Sequence, residues 1–369
     1  MNRILVTGST GFLGGAIVAE LIKSGKTDSL LLLARGDSSN TALNRVKQNL
    51  IKFGVEQIIL DKLTSLHIIE GDLSKVESFS TDERLDSVEK VINCAAIASF
   101  GNNPMIWKVN VEGTFQFASR MSHVKSLKRF IHVGTAMSCT PMPNTNIIEN
   151  MSYTLKENHL VEYTWSKATI ETMMIENLPK LPLVIARPSI VVGHTQYGCI
   201  PSASIFWVFR MAHKLGKFMC NLDDRVDVIP VDYCAQAIVK ISQEPVLEHS
   251  MYHISAGSDS SVKFADIDQA MAKAAGTAPI NKIYKKVDYK ELSREKSNFK
   301  NLFGSCNEKI VLKAMSLYGG FSKMNVVFDN EKLIKLGMPL SPKFTDYIDV
   351  CHRSVEDKTL SELMAVDFK

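Results

Sequence analysis

The run RILVTGSTGFLGGAIVAELIKSG, residues 3–25, restricts the fold more than any other part of the chain. Residues 4–6 are a short apolar block of the kind that forms a buried strand, and the apolar spacing from Gly11 to Lys23 has the helical period. Between them the glycines at 8, 11 and 14 make a turn, and Gly25 caps the helix at its C-terminal end. Bare backbone at Gly8, Gly11 and Gly14 lets a pyrophosphate come close, while the helix end behind the turn offers unpaired N–H groups and the positive end of its dipole. Glycine turns also occur without a ligand, so the flanking pattern decides. Here a strand precedes, a helix follows, and a second apolar run, DSLLLLAR, arrives at the distance a crossover needs. Strands alternating with helices imply right-handed crossovers and a parallel sheet.

The second strand ends in Arg35, where an NAD-preferring site carries an acid for the ribose 2′-hydroxyl. A guanidinium suits a 2′-phosphate, through charge-assisted bidentate hydrogen bonds, so NADPH is the expected cofactor. Arg45, in NTALNRVKQNL, either folds back as a second phosphate ligand or faces solvent from its helix. LHIIEGD (66–72) and KVINCAA (90–96) are two further buried-strand patterns. Asp72 falls just past the first of these, where contact with an adenine is expected. NVEGT (110–114) reads as part of a helix backing the sheet. KRFIHV (128–133) then runs into GTAMSC and leaves Thr135 at the C-terminal edge of the sheet. The helix in VEYTWSKATIE carries Tyr163 and Lys167 one turn apart, and LPLVIARP closes the unit. Thr135, Tyr163 and Lys167 are thereby expected to converge beside a bound nicotinamide.

Through TGSTGFLG, GDLS, NVEGT, GTA, YTWSK and RPSIVVG, over roughly residues 1–255, the chain resembles an extended short-chain dehydrogenase/reductase. Within that superfamily LLLARG with its ALNRV helix, YTWSKATIE, RPSIV and DVIPVDYCAQAIV are most like the fatty acyl-CoA reductases and the thioester-reductase domains of carboxylic acid reductases and peptide synthetases. Sugar-nucleotide epimerases usually have an acid after strand two and Ser-Ala-x-x-Tyr-Gly where this chain has GTAMSCTPM. Gly134 departs from both groups, which commonly have serine there, and bears on supporting hydrogen bonds more than on the chemistry. The resemblance implies an α/β Rossmann fold, a doubly wound parallel sheet with a smaller, mostly helical C-terminal substrate domain. It implies a division into residues 1–195 plus about 225–257 for the dinucleotide and 196–224 plus 258–369 for substrate and lid. Catalytic roles fall on Thr135, Tyr163 and Lys167, with the Tyr163 phenol lowered by the Lys167 ammonium. Cofactor contacts fall on Gly8, Thr10, Gly11, Phe12, Leu13, Gly14, Arg35, Arg45, Asp72, Leu73, Ala95, Ala96, Asn110, Tyr163, Lys167, Pro188 and Ile190. The implied activity is NADPH-dependent reduction of an acyl thioester to aldehyde, with or without a further step to alcohol. The alternatives are an NAD(P)-dependent sugar-nucleotide epimerase or dehydratase, a small-ketone reductase, and a silent NADP sensor, which typically lacks the Tyr/Lys pair.

The acyl donor would arrive on coenzyme A or on an acidic carrier protein. Residues 282–300 carry seven Lys/Arg against three acids, a local excess equal to the +4 of the whole chain. That stretch reads as a solvated helix face or as a landing patch for such a partner. Residues 205, 206, 208, 209 and 212 give a lid helix an apolar face, with Arg210, His213, Lys214 and Lys217 spaced to meet a phosphate or an acidic partner. No Cys/His/acid spacing suits a metal, so His194 and His213 read as polar surface residues, and Asp232 reads as a helix N-terminal group. Seven unpatterned cysteines suit a reducing compartment, and the N-terminus lacks a leader. A cytoplasmic monomer or homodimer, with neither nucleic acid nor an integral membrane as partner, is the expectation.

Overall fold

The computed structural model describes residues 3–99, 101, 103–150 and 154–364; the outermost residues of the expected division, 1–2 and 365–369, lie outside them. Seven strands make the main sheet: β1 (Arg3–Thr7), β2 (Leu30–Ala34), β3 (Ile68–Glu70), β4 (Val88–Asn93), β5 (Arg129–Val133), β6 (Leu183–Pro188) and β7 (Met251–Ile254). All neighbours are parallel and the order is β3–β2–β1–β4–β5–β6–β7. A parallel sheet is covered on both faces, and that is why these strands are apolar runs without alternation. Ile4, Val6, Leu32, Ile92 and Ile131 point into one apolar layer, and Leu5, Leu31, Leu33, Val91 and Phe130 into the other.

Helices α1 (Phe12–Lys23) and α2 (Ser39–Ile51) follow the first two strands, and α3 (Thr114–Ser122) and α4 (Glu162–Asn177) cover the opposite face. Next come α5 (Phe206–Leu215), α6 (Val231–Gln243), α7 (Phe264–Ala275) and α8 (Glu308–Ser322). Helix α6 returns to pack on α1 in the first apolar layer, whereas α5, α7 and α8 share a separate core containing Phe206, Trp207, Met211, Met271, Met315 and Phe344. Two-residue strands at Ile190–Val191 and Val228–Ile229 pair in parallel and fasten that second core to the end of β6.

Strand order reverses between β1 and β4, and such a reversal opens a crevice at the C-terminal ends of the strands. Two glycines of the turn leave no room for a side chain at the crevice floor. Gly8 takes a left-handed φ of +73°, and a Cβ there would stand 2.8 Å from the Ala95 amide nitrogen. A Cβ on Gly14 would stand 2.1 Å from the Gly8 carbonyl oxygen.

Asp232 lies in the first turn of α6, as expected of a helix N-terminal group, and its carboxylate accepts from the Thr195 amide and hydroxyl, which ties the loop after β6 to that helix. Two local expectations need correction. The basic stretch is no single helix face. Lys285 and Lys286 form a short strand beside Lys217, and only Lys290 and Arg294 share the helix Tyr289–Arg294. His194 is buried, with Nδ1 accepting from the Gln196 and Tyr197 amides. Among the described residues, all seven cysteines are free, no group of metal-binding side chains gathers, and no helix is long and apolar enough to cross a membrane.

The close approach at Gly14 carries a stability cost if it is filled. Gly14→Ala is expected to lower unfolding free energy by about 1–3 kcal/mol, since the glycine turn must open to admit a methyl; urea denaturation followed by circular dichroism measures it.

Candidate active site

A cavity of about 880 Å³ runs from the glycine turn into the second core. Gly8, Thr10, Gly11, Phe12, Leu13 and Gly14 line one end. Arg35, Arg45, Asp72 and Leu73 line it from the ends of β2 and β3, and Ala95, Ala96, Pro188 and Ile190 from the ends of β4 and β6. Thr135, Tyr163 and Lys167 are on the same wall. Asn110 alone of the expected set is absent from that wall. It sits in a π-helical turn ahead of α3, where its side chain holds both backbone groups of Ile97 and donates to the Ser166 hydroxyl at 3.0 Å. Asn110 thus secures α4 against the loop after β4, next to Tyr163.

At the rim, the Arg35 guanidinium stands 3.5 Å from the Asp72 carboxylate and is 64% exposed. Arg45 turns back along α2 and donates to the Arg35 carbonyl at 2.7 Å. The arginines are therefore close together at the cavity's polar end, each with an internal partner. A glycine cradle too tight for a Cβ, backed by a helix N-terminus and rimmed by two guanidinium groups, fits a dinucleotide.

Lys167 is almost wholly buried, and its ammonium donates to the Val133 carbonyl at 2.7 Å. Burial brings its pKa down to about 8, although the nearby Cys94 and Glu171 pull the other way. Burial likewise drives the Tyr163 phenol above its ordinary value, helped by Cys94 and Glu171. This is opposite in direction to the expected lowering by Lys167: dehydration of the phenol sets the shift. Tyr163 therefore keeps its proton at neutral pH. Cys94, which spacing did not single out, lines the same wall, its thiol pushed up to about 12 by burial against a smaller opposing effect of Lys167.

Behind Lys167 lies a buried ion pair. Arg187 donates to Glu171 Oε2 through Nε at 3.0 Å and Nη2 at 2.6 Å, and both side chains are at most 3% exposed. Burial pushes the Glu171 carboxyl up, and the guanidinium recovers only part of that. The pair explains Gly134. A Cβ there would lie 2.1 Å from Glu171 Oε1, so the position that is commonly serine must be bare backbone in this chain.

Beyond Ile190 the cavity continues as an apolar arm. Ile205, Val208, Phe209 and Ala212 contribute from the α5 side, Phe264, Ile267 and Met271 from α7, with Tyr318 and Phe321 on α8. His213 and Asp268 also line it, 3.0 Å apart, so His213 is not the surface residue its polarity suggested. The available signal was its register, one turn after Phe209. Arg210 is committed to the Val355 carbonyl and Lys217 to Glu295, which leaves Lys214 as the exposed cation of that helix.

Strand order, glycine turn and a Tyr/Lys pair on the crossover helix together define an extended short-chain dehydrogenase/reductase fold. The sequence profile of an NAD-binding family described as male sterility protein matches residues 6–238, more than half of the 369, and the chain belongs to that family. It is 24% identical over 303 residues to the non-canonical nonribosomal peptide synthetase FrzA of Cladobotryum sp, covering 79% of this chain and 29% of that protein. It is 23% identical over 278 residues to the fatty acyl-CoA reductase wat of Drosophila melanogaster, covering 64% of this chain and 53% of the relative. The chain thus spans about half or less of the length of these curated relatives. In fold it is similar to the terminal R domain from the myxalamid PKS-NRPS biosynthetic pathway, with a TM-score of 0.78, 20% identity, and 97% and 91% of the two chains covered.

Gly134→Ser must displace the Glu171 carboxylate. A loss of roughly 1–3 kcal/mol in urea denaturation is expected, and the loss should shrink in a Glu171→Ala background because the two positions are in contact.

Proposed function

We propose that this chain is an NADPH-dependent reductase of an acyl thioester, borne on coenzyme A or on a carrier protein, with an aldehyde as first product. The observation carrying this reading is that Thr135, Tyr163 and Lys167 share one cavity wall with the glycine turn, and that the cavity goes on into an apolar arm. An arm lined by Val208, Phe209, Phe264 and Met271 suits an acyl chain.

Bound NADPH supplies the hydride. Negative charge then develops on the carbonyl oxygen, where the hydroxyls of Thr135 and Tyr163 donate, and fixed donors at that atom provide much of the acceleration. Tyr163, holding its proton at neutral pH, hands it to the oxygen as general acid. The resulting hemithioacetal breaks its C–S bond: the carbonyl re-forms, the hydroxyl proton passes to sulfur, aldehyde and thiol leave, and a solvent proton restores Tyr163. Lys167, whose ammonium donates to the Val133 carbonyl, would hold the nicotinamide ribose. Asn110 is a positioning residue acting through Ser166. Arg35, now beside Asp72, and Arg45 would hold the 2′-phosphate. The exposed lysines at 282, 285, 286 and 290 offer an acidic carrier a complementary surface.

Three measurements bear on this reading. NADPH absorbance with an acyl-CoA panel should report turnover that falls roughly 100-fold or more in Tyr163→Phe, the scale of a lost general acid; equal rates in the variant would remove Tyr163 from the chemistry. Arg35→Asp should weaken NADPH at least roughly tenfold and improve NADH, the loss of charge-assisted hydrogen bonds. Because Lys167 is protonated only below about pH 8, dinucleotide affinity should fall as pH rises through that value, with no such step in Lys167→Met; calorimetric titration across pH measures this.

A further inference from the structure

The apolar arm has a polar end. Along α5 the wall residues Ile205, Val208, Phe209, Ala212 and His213 follow helical spacing, and His213 is the one polar member of that stripe. Along α7 the stripe is Phe264, Ile267, Asp268 and Met271, again with a single polar member. The two exceptions meet. His213 Nδ1 lies 3.0 Å from Asp268 Oδ1, and their side chains are 14% and 4% exposed.

Asp268 is fully engaged. Besides the imidazole it accepts from the Ile280 amide at 3.1 Å and the Asn281 amide at 3.0 Å. A carboxylate accepts only, so the imidazole must present an N–H at Nδ1, and in the tautomer that carries its proton there the remaining nitrogen, Nε2, is an acceptor. Among the described residues Nε2 has no hydrogen-bond partner, while its ring is on the cavity wall. Placing an oriented imidazole in an apolar wall costs free energy unless something answers it.

Position supplies the distance. The α5 stripe begins at Ile205, beside Ser204, whose hydroxyl donates to the Val191 carbonyl just past Ile190 and the catalytic wall. His213 is two helical turns further, about 12 Å along the axis. Extended carbon chain advances about 1.25 Å per atom at ordinary bond lengths, so the imidazole stands roughly eight to ten carbons beyond the start of the arm.

Building on the thioester-reductase reading, we infer that His213, oriented by Asp268, is a specificity-determining residue that accepts a hydrogen bond from a hydroxyl carried near the far end of a medium-length acyl chain. The substrate class is then an ω-hydroxylated, or similarly donor-tipped, acyl thioester. A plain chain would leave Nε2 desolvated without a partner.

The test compares ω-hydroxyacyl-CoA esters of six to twelve carbons with their unsubstituted counterparts. The wild-type protein should favour the hydroxylated ester at one chain length by roughly tenfold in kcat/KM, chiefly through KM, as expected for one buried hydrogen bond. His213→Leu should abolish that preference, and His213→Gln, whose amide can reach the Nε2 position, should restore part of it. Absence of any preference in the wild-type protein, or its persistence in His213→Leu, overturns the inference; the wild-type comparison stands even if a variant fails to fold. If no thioester is reduced, the proposed activity falls by itself. The inference is then decided by calorimetric binding of an alkane-α,ω-diol against the 1-alkanol of equal length: tighter diol binding that His213→Leu removes upholds it, and equal binding overturns it.

Discussion

The contact between the Gly8 backbone and the start of the loop after β4 is the constraint on which the site is built. A parallel sheet whose strand order reverses must leave a gap at that point, and the gap is useful only if nothing fills it. Here the two segments approach to within the reach of a single methyl, with a Cβ on Gly8 excluded by Ala95 and one on Gly14 excluded by Gly8. Thr7 holds both sides together, its hydroxyl donating to Asn93 at 2.7 Å and accepting from the Ala95 amide at 3.0 Å. The turn is therefore anchored from beneath before any ligand arrives.

From that anchor a polar seam crosses one face of the sheet at its C-terminal edge. Asn93 continues to His132, and one strand further Arg187 pairs with Glu171, beside His253. Burial pushes His132 well below its ordinary range, with the charges of Lys167 and Arg187 adding to the effect, and takes His253 down to about 3. Both rings are thus neutral at physiological pH, and the charges in this layer are those of Lys167, Glu171 and Arg187. Ion pairs so deeply buried add little net stability over an apolar filling, but removing one partner is costly. The seam serves to hold α4, and with it Tyr163 and Lys167, at a set height above the strands.

Much of this was legible in the chain because both periods are plain. Strands β1 to β6 and helices α1 and α4 follow from apolar runs and helical spacing, and the positions of Thr135, Tyr163 and Lys167 on one wall follow from strand ends and a crossover. What eluded reading was pairing across distance. Nothing near Gly134 announces a carboxylate on α4, nothing near Asn110 announces Ile97 and Ser166, and nothing near His213 announces Asp268 on α7. The direction of the Tyr163 shift was missed for the same reason: burial depends on what closes over a side chain, and local spacing is silent about that.

Residue order by itself determined the layered α/β architecture, the crevice at the glycine turn and the chemical types gathered there, because each depends on local propensity and on the handedness of crossovers. Tertiary structure alone decided that Asn110 braces a helix and lines no cavity wall, that Gly134 yields its space to a buried ion pair, and that a histidine read as surface ends an apolar arm. Those outcomes turn on desolvation and on contacts between distant segments, which exist only once the second core has packed against the sheet.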